Sequence, residues 1–243
     1  MDIVPYTQQR GTKKEQVTYM FNKIAPQYDL LNHLFSFGID KDWRRKVVDE
    51  VKKTKNPVIL DVATGTGDLA LALAASHPTA IHAIDISPGM LNIAKKKVLS
   101  RGLQNTIMLT EADSEAIPFP NGKFDVATVA FGVRNFGDLN LGLIEINRVL
   151  KRGGKIIVLE FSRPNVFPMK QFYRCYFNRL IPFCGALFSK DREAYSYLSA
   201  SVMAFPEGKE FEQELMMAGF DDIKTHRLSL GIASIYIATK SLQ

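Results

Sequence analysis

Cysteine is almost missing from this chain: 243 residues contain two, Cys175 and Cys184. Neither belongs to a CxxC pair and no histidine cluster stands near them. That argues against a disulfide framework or a metal centre and fits a reducing compartment. Long apolar runs are missing too. No stretch reaches the roughly 18–20 residues that cross a bilayer, and the opening MDIVPYTQQRGTKKEQ lacks the apolar core of a secretory signal. The expected setting is the cytosol, at most with attachment to a membrane surface. There is no internal repeat and no low-complexity segment. A block of like charge is absent as well. The formal charge of +6 is dispersed, which permits anionic partners but reads mainly as solvated faces.

What is present is ordinary globular composition, 46% hydrophobic and 23% charged, enough to bury one α/β core. The first fifty or so residues read as a helical prefix. Thr18–Ile24 has helical spacing, Pro26 is expected to interrupt it, and Trp43–Val51 forms a second amphipathic helix. From Val58 the pattern changes to short apolar runs: Val58–Val62, Ile81–Asp85, Ile107–Leu109, Phe124–Ala130 and Lys155–Phe161. Helices are expected between them at Asp68–Ala75, with Asp68 as N-cap, at Pro88–Leu99 and at Leu139–Leu150. This alternation predicts a doubly wound, mostly parallel sheet.

The tail departs from that rhythm. Asp222–Arg227 and Ala233–Thr239 are strand-like runs too close together for a helix between them, so they should pair antiparallel. A parallel sheet closed by an antiparallel hairpin is the Rossmann-like class I methyltransferase arrangement, with seven strands. The chain then divides into a helical prefix (1–55), a cofactor-binding core (56–160), a cap insertion (161–206) and a final helix and hairpin (207–243), all within one domain. The cap is rich in aromatics, among them Phe172, Tyr173, Tyr176, Phe177, Phe183 and Phe188.

Three features carry the chemistry. Ala63-Thr64-Gly65-Thr66-Gly67 leaves a strand and opens a helix, and its glycines let backbone N–H groups approach a ligand. Alone, this loop fits a dinucleotide, S-adenosylmethionine or a turn with no ligand. Asp85 ends the second strand, where an acid can accept both hydroxyls of an adenosine ribose. Asp113-Ser114 follows the third strand, where the carboxylate can accept from an adenine amino group and the next N–H can donate to the ring. The three together point to S-adenosylmethionine. Asp61 is a lesser candidate, either for the methionine ammonium or as a stabiliser of the glycine loop.

Longer motifs narrow the reading. Tyr28-Asp29-Leu30-Leu31-Asn32-His33-Leu34-Phe35-Ser36-Phe37-Gly38 with Trp43, Phe131-Gly132-Val133-Arg134-Asn135, and Arg148–Gly154 running on to Leu159-Glu160-Phe161-Ser162 recur in one family. In these motifs the chain resembles the quinone-biosynthesis C-methyltransferases that act on demethylmenaquinone and, in some organisms, on a ubiquinone precursor. Leu31 stands where the family commonly has Met, Asp40 where it has His, Arg152 where it has Pro, and Ala130 where many members have a cofactor-contacting Ser. The resemblance implies cofactor contacts at Thr66, Asp85, Asp113 and Ser114, beside Gly65 of the loop. It implies a prenylated quinol as substrate, with transient membrane-surface contact because the isoprenoid tail stays in the bilayer.

Methylating a ring carbon is easier once a phenolic proton has left. Arg134 is the catalytic candidate, as a cation that stabilises the developing phenolate and orients a water. The alternative is that Arg134 pairs with an acid and shapes its loop. Other small-molecule O- or N-methyltransferases of the fold, and a benzoquinol acceptor, stay open. A nucleic-acid partner is not expected, since no N/D-P-P-Y-type motif occurs. No metal site is expected.

Overall fold

The computed structural model describes residues 3–6, 8, 10–36, 38–165, 167, 170–171 and 192–242. Its centre is a seven-stranded sheet of order β3-β2-β1-β4-β5-β7-β6. The strands are β1 (Val58–Val62), β2 (Ala80–Asp85), β3 (Ile107–Glu111), β4 (Phe124–Ala130), β5 (Leu150–Phe161), β6 (Phe220–Leu228) and β7 (Ala233–Lys240). The first five are parallel, and β7 runs antiparallel to both β5 and β6. The mostly parallel sheet closed by a terminal hairpin is thus what the sequence pattern predicts.

Helices α1 (Lys13–Phe35), α2 (Ile39–Val51), α3 (Asp68–Leu73), α4 (Pro88–Ser100), α5 (Leu139–Val149), α6 (Arg192–Ala204) and α7 (Lys209–Met217) cover the sheet. One core packs Leu143, Ile146, Phe211 and Leu215 against one face. A second packs Trp43, Val47, Leu69, Leu73 and Val98 against the other. Central strands covered on both faces must be apolar throughout, which is why they read as continuous runs.

A third, smaller core lies off the sheet. Val17, Met20, Ile24 and Ala25 of α1 meet Met90 of α4 and Ala194 and Tyr197 of α6. This core corrects one expectation, for α1 runs on through Pro26. Proline removes one intrahelical hydrogen bond. Burial of the apolar side chains before it, each worth on the order of 1.5–3 kcal/mol, offsets that loss.

Two smaller corrections concern helix ends. Gly67, at φ 83°, takes the N-cap position of α3 without a side-chain bond, and Asp68 is the first helical residue. The left-handed backbone favours glycine there, so the cap falls one residue earlier than expected. Strand β5 begins at Leu150, which pairs with Phe124, so the Gly153-Gly154 segment is strand rather than connection. Most of the expected cap, including Cys175, Cys184 and the aromatics Phe172 to Phe188 named above, lies outside the described residues.

Candidate active site

The loops after β1, β2, β3 and β4 surround an open cleft. A parallel sheet gathers the carboxyl ends of its strands on one edge, so residues far apart in sequence converge there. All five expected cofactor-binding positions, Gly65, Thr66, Asp85, Asp113 and Ser114, border this cleft. Asp61 borders it too.

Asp85 is held by backbone. Its Oδ2 accepts from Gly65 N at 2.7 Å and its Oδ1 from Ser87 N at 2.8 Å. Burial nevertheless pushes its carboxyl up to about 6, against the pull of these donors. Gly65 has φ +57°, and a Cβ built there would meet nothing within 4 Å, so the glycine loop opens onto free space. Asp61 accepts from the Thr64 hydroxyl at 2.6 Å and the Thr128 hydroxyl at 2.7 Å. Burial pushes it up to about 6 as well. Asp113 accepts from Glu115 N at 2.9 Å and from Lys14 Nζ at 2.5 Å. The Thr66 hydroxyl donates to Asp29 at 2.5 Å.

The last two bonds show what sequence reasoning missed. Helix α1 is tied to all four loops. Lys14 reaches Asp113 and Glu115, and Asp29 reaches Thr66 and Lys97. Asn22 accepts from the Ser87 hydroxyl and from Gly89 N, both at 2.8 Å. Lys13 donates to the Phe136 carbonyl at 2.6 Å. Lys14, Val17, Phe21 and Tyr28 of this helix form one wall of the cleft. Only Asp29, inside a longer motif, carried any signal of this; the other ties join residues more than 60 positions apart.

After β4 the cleft is bordered by the rings of Phe131 and Phe136. Phe131, at a strained φ of 57°, packs at a tilt on Phe161 with centroids 4.5 Å apart, and Trp43 lies 6.1 Å from each; the rings of Phe161 and Trp43 back Phe131 without bordering the cleft. Gly132 is required by close approach, since a Cβ there would lie 2.7 Å from that of Ala63. Arg134, on the turn Val133–Asn135, pairs with Glu160 at 2.7 Å, with side chains only 4% and 0% exposed. It also donates to the Phe131 carbonyl at 2.6 Å and to Ser201 at 3.3 Å. Its neighbours Phe131, Gly132 and Asn135 border the cleft. Burial raises the Glu160 carboxyl above the usual carboxylate range, although Arg134 opposes the shift. Glu160 Oε2 is the single buried side-chain polar atom without a partner among the described residues.

A sheet of this order, cupping acids at the ends of β1, β2 and β3, defines a Rossmann-like class I methyltransferase. A solved structure of the same fold is described as a SAM-dependent methyltransferase, possible histamine N-methyltransferase, from Thermotoga maritima. Its TM-score is 0.66 at 18% identity, over 93% of this chain and 100% of that one. The ubiE/COQ5 methyltransferase family profile matches residues 9–240. The chain belongs to the ubiE/COQ5 methyltransferase family and is an S-adenosylmethionine-dependent methyltransferase.

Two relatives align over nearly the whole length. One, from Bacteroides fragilis, is named demethylmenaquinone methyltransferase and is 46% identical over 98% of this chain and 97% of its own. The other, from Geotalea daltonii, is named ubiquinone/menaquinone biosynthesis C-methyltransferase UbiE. It is 44% identical over 94% and 97% respectively.

The donor set suits the cofactor. Asp85 offers a ribose two acceptor oxygens, Asp113 and Ser114 offer polar contacts for a base, and the glycine loop leaves room for a backbone-close ligand.

Proposed function

We propose that this protein C-methylates a prenylated quinol, demethylmenaquinol before a benzoquinol. The observation that carries the reading is one cleft with the acids Asp61, Asp85 and Asp113 along the β1–β3 side and the rings of Phe131 and Phe136, with Phe21 and Tyr28 of α1, on its other walls. The names of both relatives agree with it. S-adenosylmethionine supplies an activated methyl group when bound.

The chain's own residues would divide the work. Asp85 accepts the ribose hydroxyls, and Asp113 with Ser114 meets the adenine once Lys14 yields one carboxylate oxygen. Gly65 and Thr66 shape the loop around the ligand, and Asp61 faces the methionine ammonium. Phe131 and Phe136 offer an apolar surface to the quinol ring, with Phe161 packed behind Phe131. Arg134, paired with Glu160 behind the cleft, fixes the loop that carries Phe131 and Asn135, so it acts on a developing phenolate by placing that loop rather than by touching it. Within one domain, the prefix and the core line this site. No described helix is long and apolar enough to cross a membrane. Reaching a bilayer-held tail therefore calls for peripheral contact from the cytoplasmic side.

The test is purified protein with methyl-labelled S-adenosylmethionine and chemically reduced demethylmenaquinone. Labelled menaquinone is expected, and transfer to a water-soluble catechol alone would overturn the quinol reading.

A further inference from the structure

The β1 end of the cleft carries a cation as well as an acid. Arg44, from α2, borders the cleft beside Asp61, Thr64 and Phe131. Its guanidinium lies 5.8 Å from the centre of the Phe131 ring, and its side chain is 11% exposed. Asp40, one helical turn earlier, bonds to it from behind and is itself braced by the Ser36 hydroxyl at 2.5 Å. Asp68 stands 3.9 Å away on the other side. Among the described residues these are the acids that meet it directly, and Asp61 feels its charge.

A guanidinium has five N–H donors in a fixed fork. Arg44 spends one nitrogen on a short bond to Asp40 and so is oriented, with donor capacity left at the cleft edge. Asp61 and Arg44 set opposite charges at the same end of one cleft. That pattern matches a free α-amino acid, which is a zwitterion.

Resting on the S-adenosylmethionine reading above, we infer that Arg44 binds the α-carboxylate of the cofactor's methionyl end, from a helix outside the Rossmann-like core. Asp40 is then a positioning residue that keeps the guanidinium aimed. This gives a use to Asp40, which departs from the common histidine of the family motif.

Binding, not turnover, tests it. Calorimetry would compare S-adenosylhomocysteine with 5′-methylthioadenosine, which keeps the adenosine and thioether but has no amino-acid group. Arg44→Gln should weaken the homocysteine ligand ~10- to 100-fold, the span expected for a charge-assisted hydrogen bond. It should leave methylthioadenosine within about twofold. Arg44→Lys should fall between. An equal loss for both ligands, or no loss for either, overturns the inference.

A variant too unstable to bind methylthioadenosine is replaced by a ligand change on the intact protein. There, decarboxylated S-adenosylmethionine should bind at least ~10-fold more weakly than S-adenosylmethionine, and near-equal affinities would refute the assignment. Failure of the unaltered protein to bind S-adenosylhomocysteine and methylthioadenosine alike would instead sink the cofactor reading beneath it.

Discussion

Asp85 and Glu160 are both buried carboxylates at the ends of parallel strands, yet they are held in opposite ways. Asp85 rests on backbone N–H groups of Gly65 and Ser87, supplied by two loops. Glu160 takes one side-chain partner, Arg134, and the N–H of Phe161, and its Oε2 goes unpaired. Backbone donors persist whatever side chains change, so the cofactor end is a rigid receptor. The acceptor end depends on one ion pair buried in low dielectric, where loss of a partner leaves an uncompensated charge.

The largest effect should come from breaking that pair. Arg134→Ala is expected to cost about 3–5 kcal/mol of folding stability, since it strands Glu160 without its cation. Urea denaturation reads this directly, and an unshifted midpoint would erase the contrast. Asp85→Ala should do the reverse, weakening cofactor binding by roughly 100-fold through loss of two hydrogen bonds to a charged acceptor. Without ligand its melting temperature should hold or rise, because a carboxyl raised to about 6 by burial disfavours the folded state at neutral pH.

That shift also sets a pH dependence. With the folded value near 6, above the unfolded one, the folded chain binds more protons than the unfolded chain in between. Asp85's contribution to the stability of the ligand-free protein therefore falls as pH rises from about 4 to 6 and is level above. Cofactor affinity should run oppositely, falling about tenfold between pH 7 and 5 as the acceptor takes a proton. Asp61 titrates in the same window. A calorimetric pH series on Asp85→Asn separates the two, and an unchanged profile in that variant would assign the whole effect to Asp61. The smallest expected effect is at Lys14. Its partly exposed pairs with Asp113 and Glu115 are worth about 1 kcal/mol or less. Lys14→Ala should tighten cofactor binding about three- to fivefold in calorimetry, because the Asp113 oxygen no longer has to be released, with the difference shrinking at high salt.

The same contrast explains what the sequence revealed. Asp85 was legible because it ends an apolar run at the spacing a ribose acid needs, and the strands were legible because burial on both faces leaves no polar positions. Arg134 was legible as a residue, in a recognisable motif, while its partner Glu160 stood in another motif without an assigned role. Pro26 misled, since a local helix-breaking preference says nothing of the packing that overrides it. Lys14, Asn22 and Arg44 carried no mark at all. Their importance arises only when folding brings a polar helix face against loops dozens of residues away.

Helix α1 is made first in synthesis and must settle last. Its anchors Thr66, Ser87, Asp113 and Phe136 belong to four crossovers, which converge only when β1 to β4 are aligned. Contacts of such long sequence separation form late, after the loops between them have closed. The cleft wall is therefore a checkpoint on assembly, and a chain whose sheet is misregistered would have no finished receptor to offer.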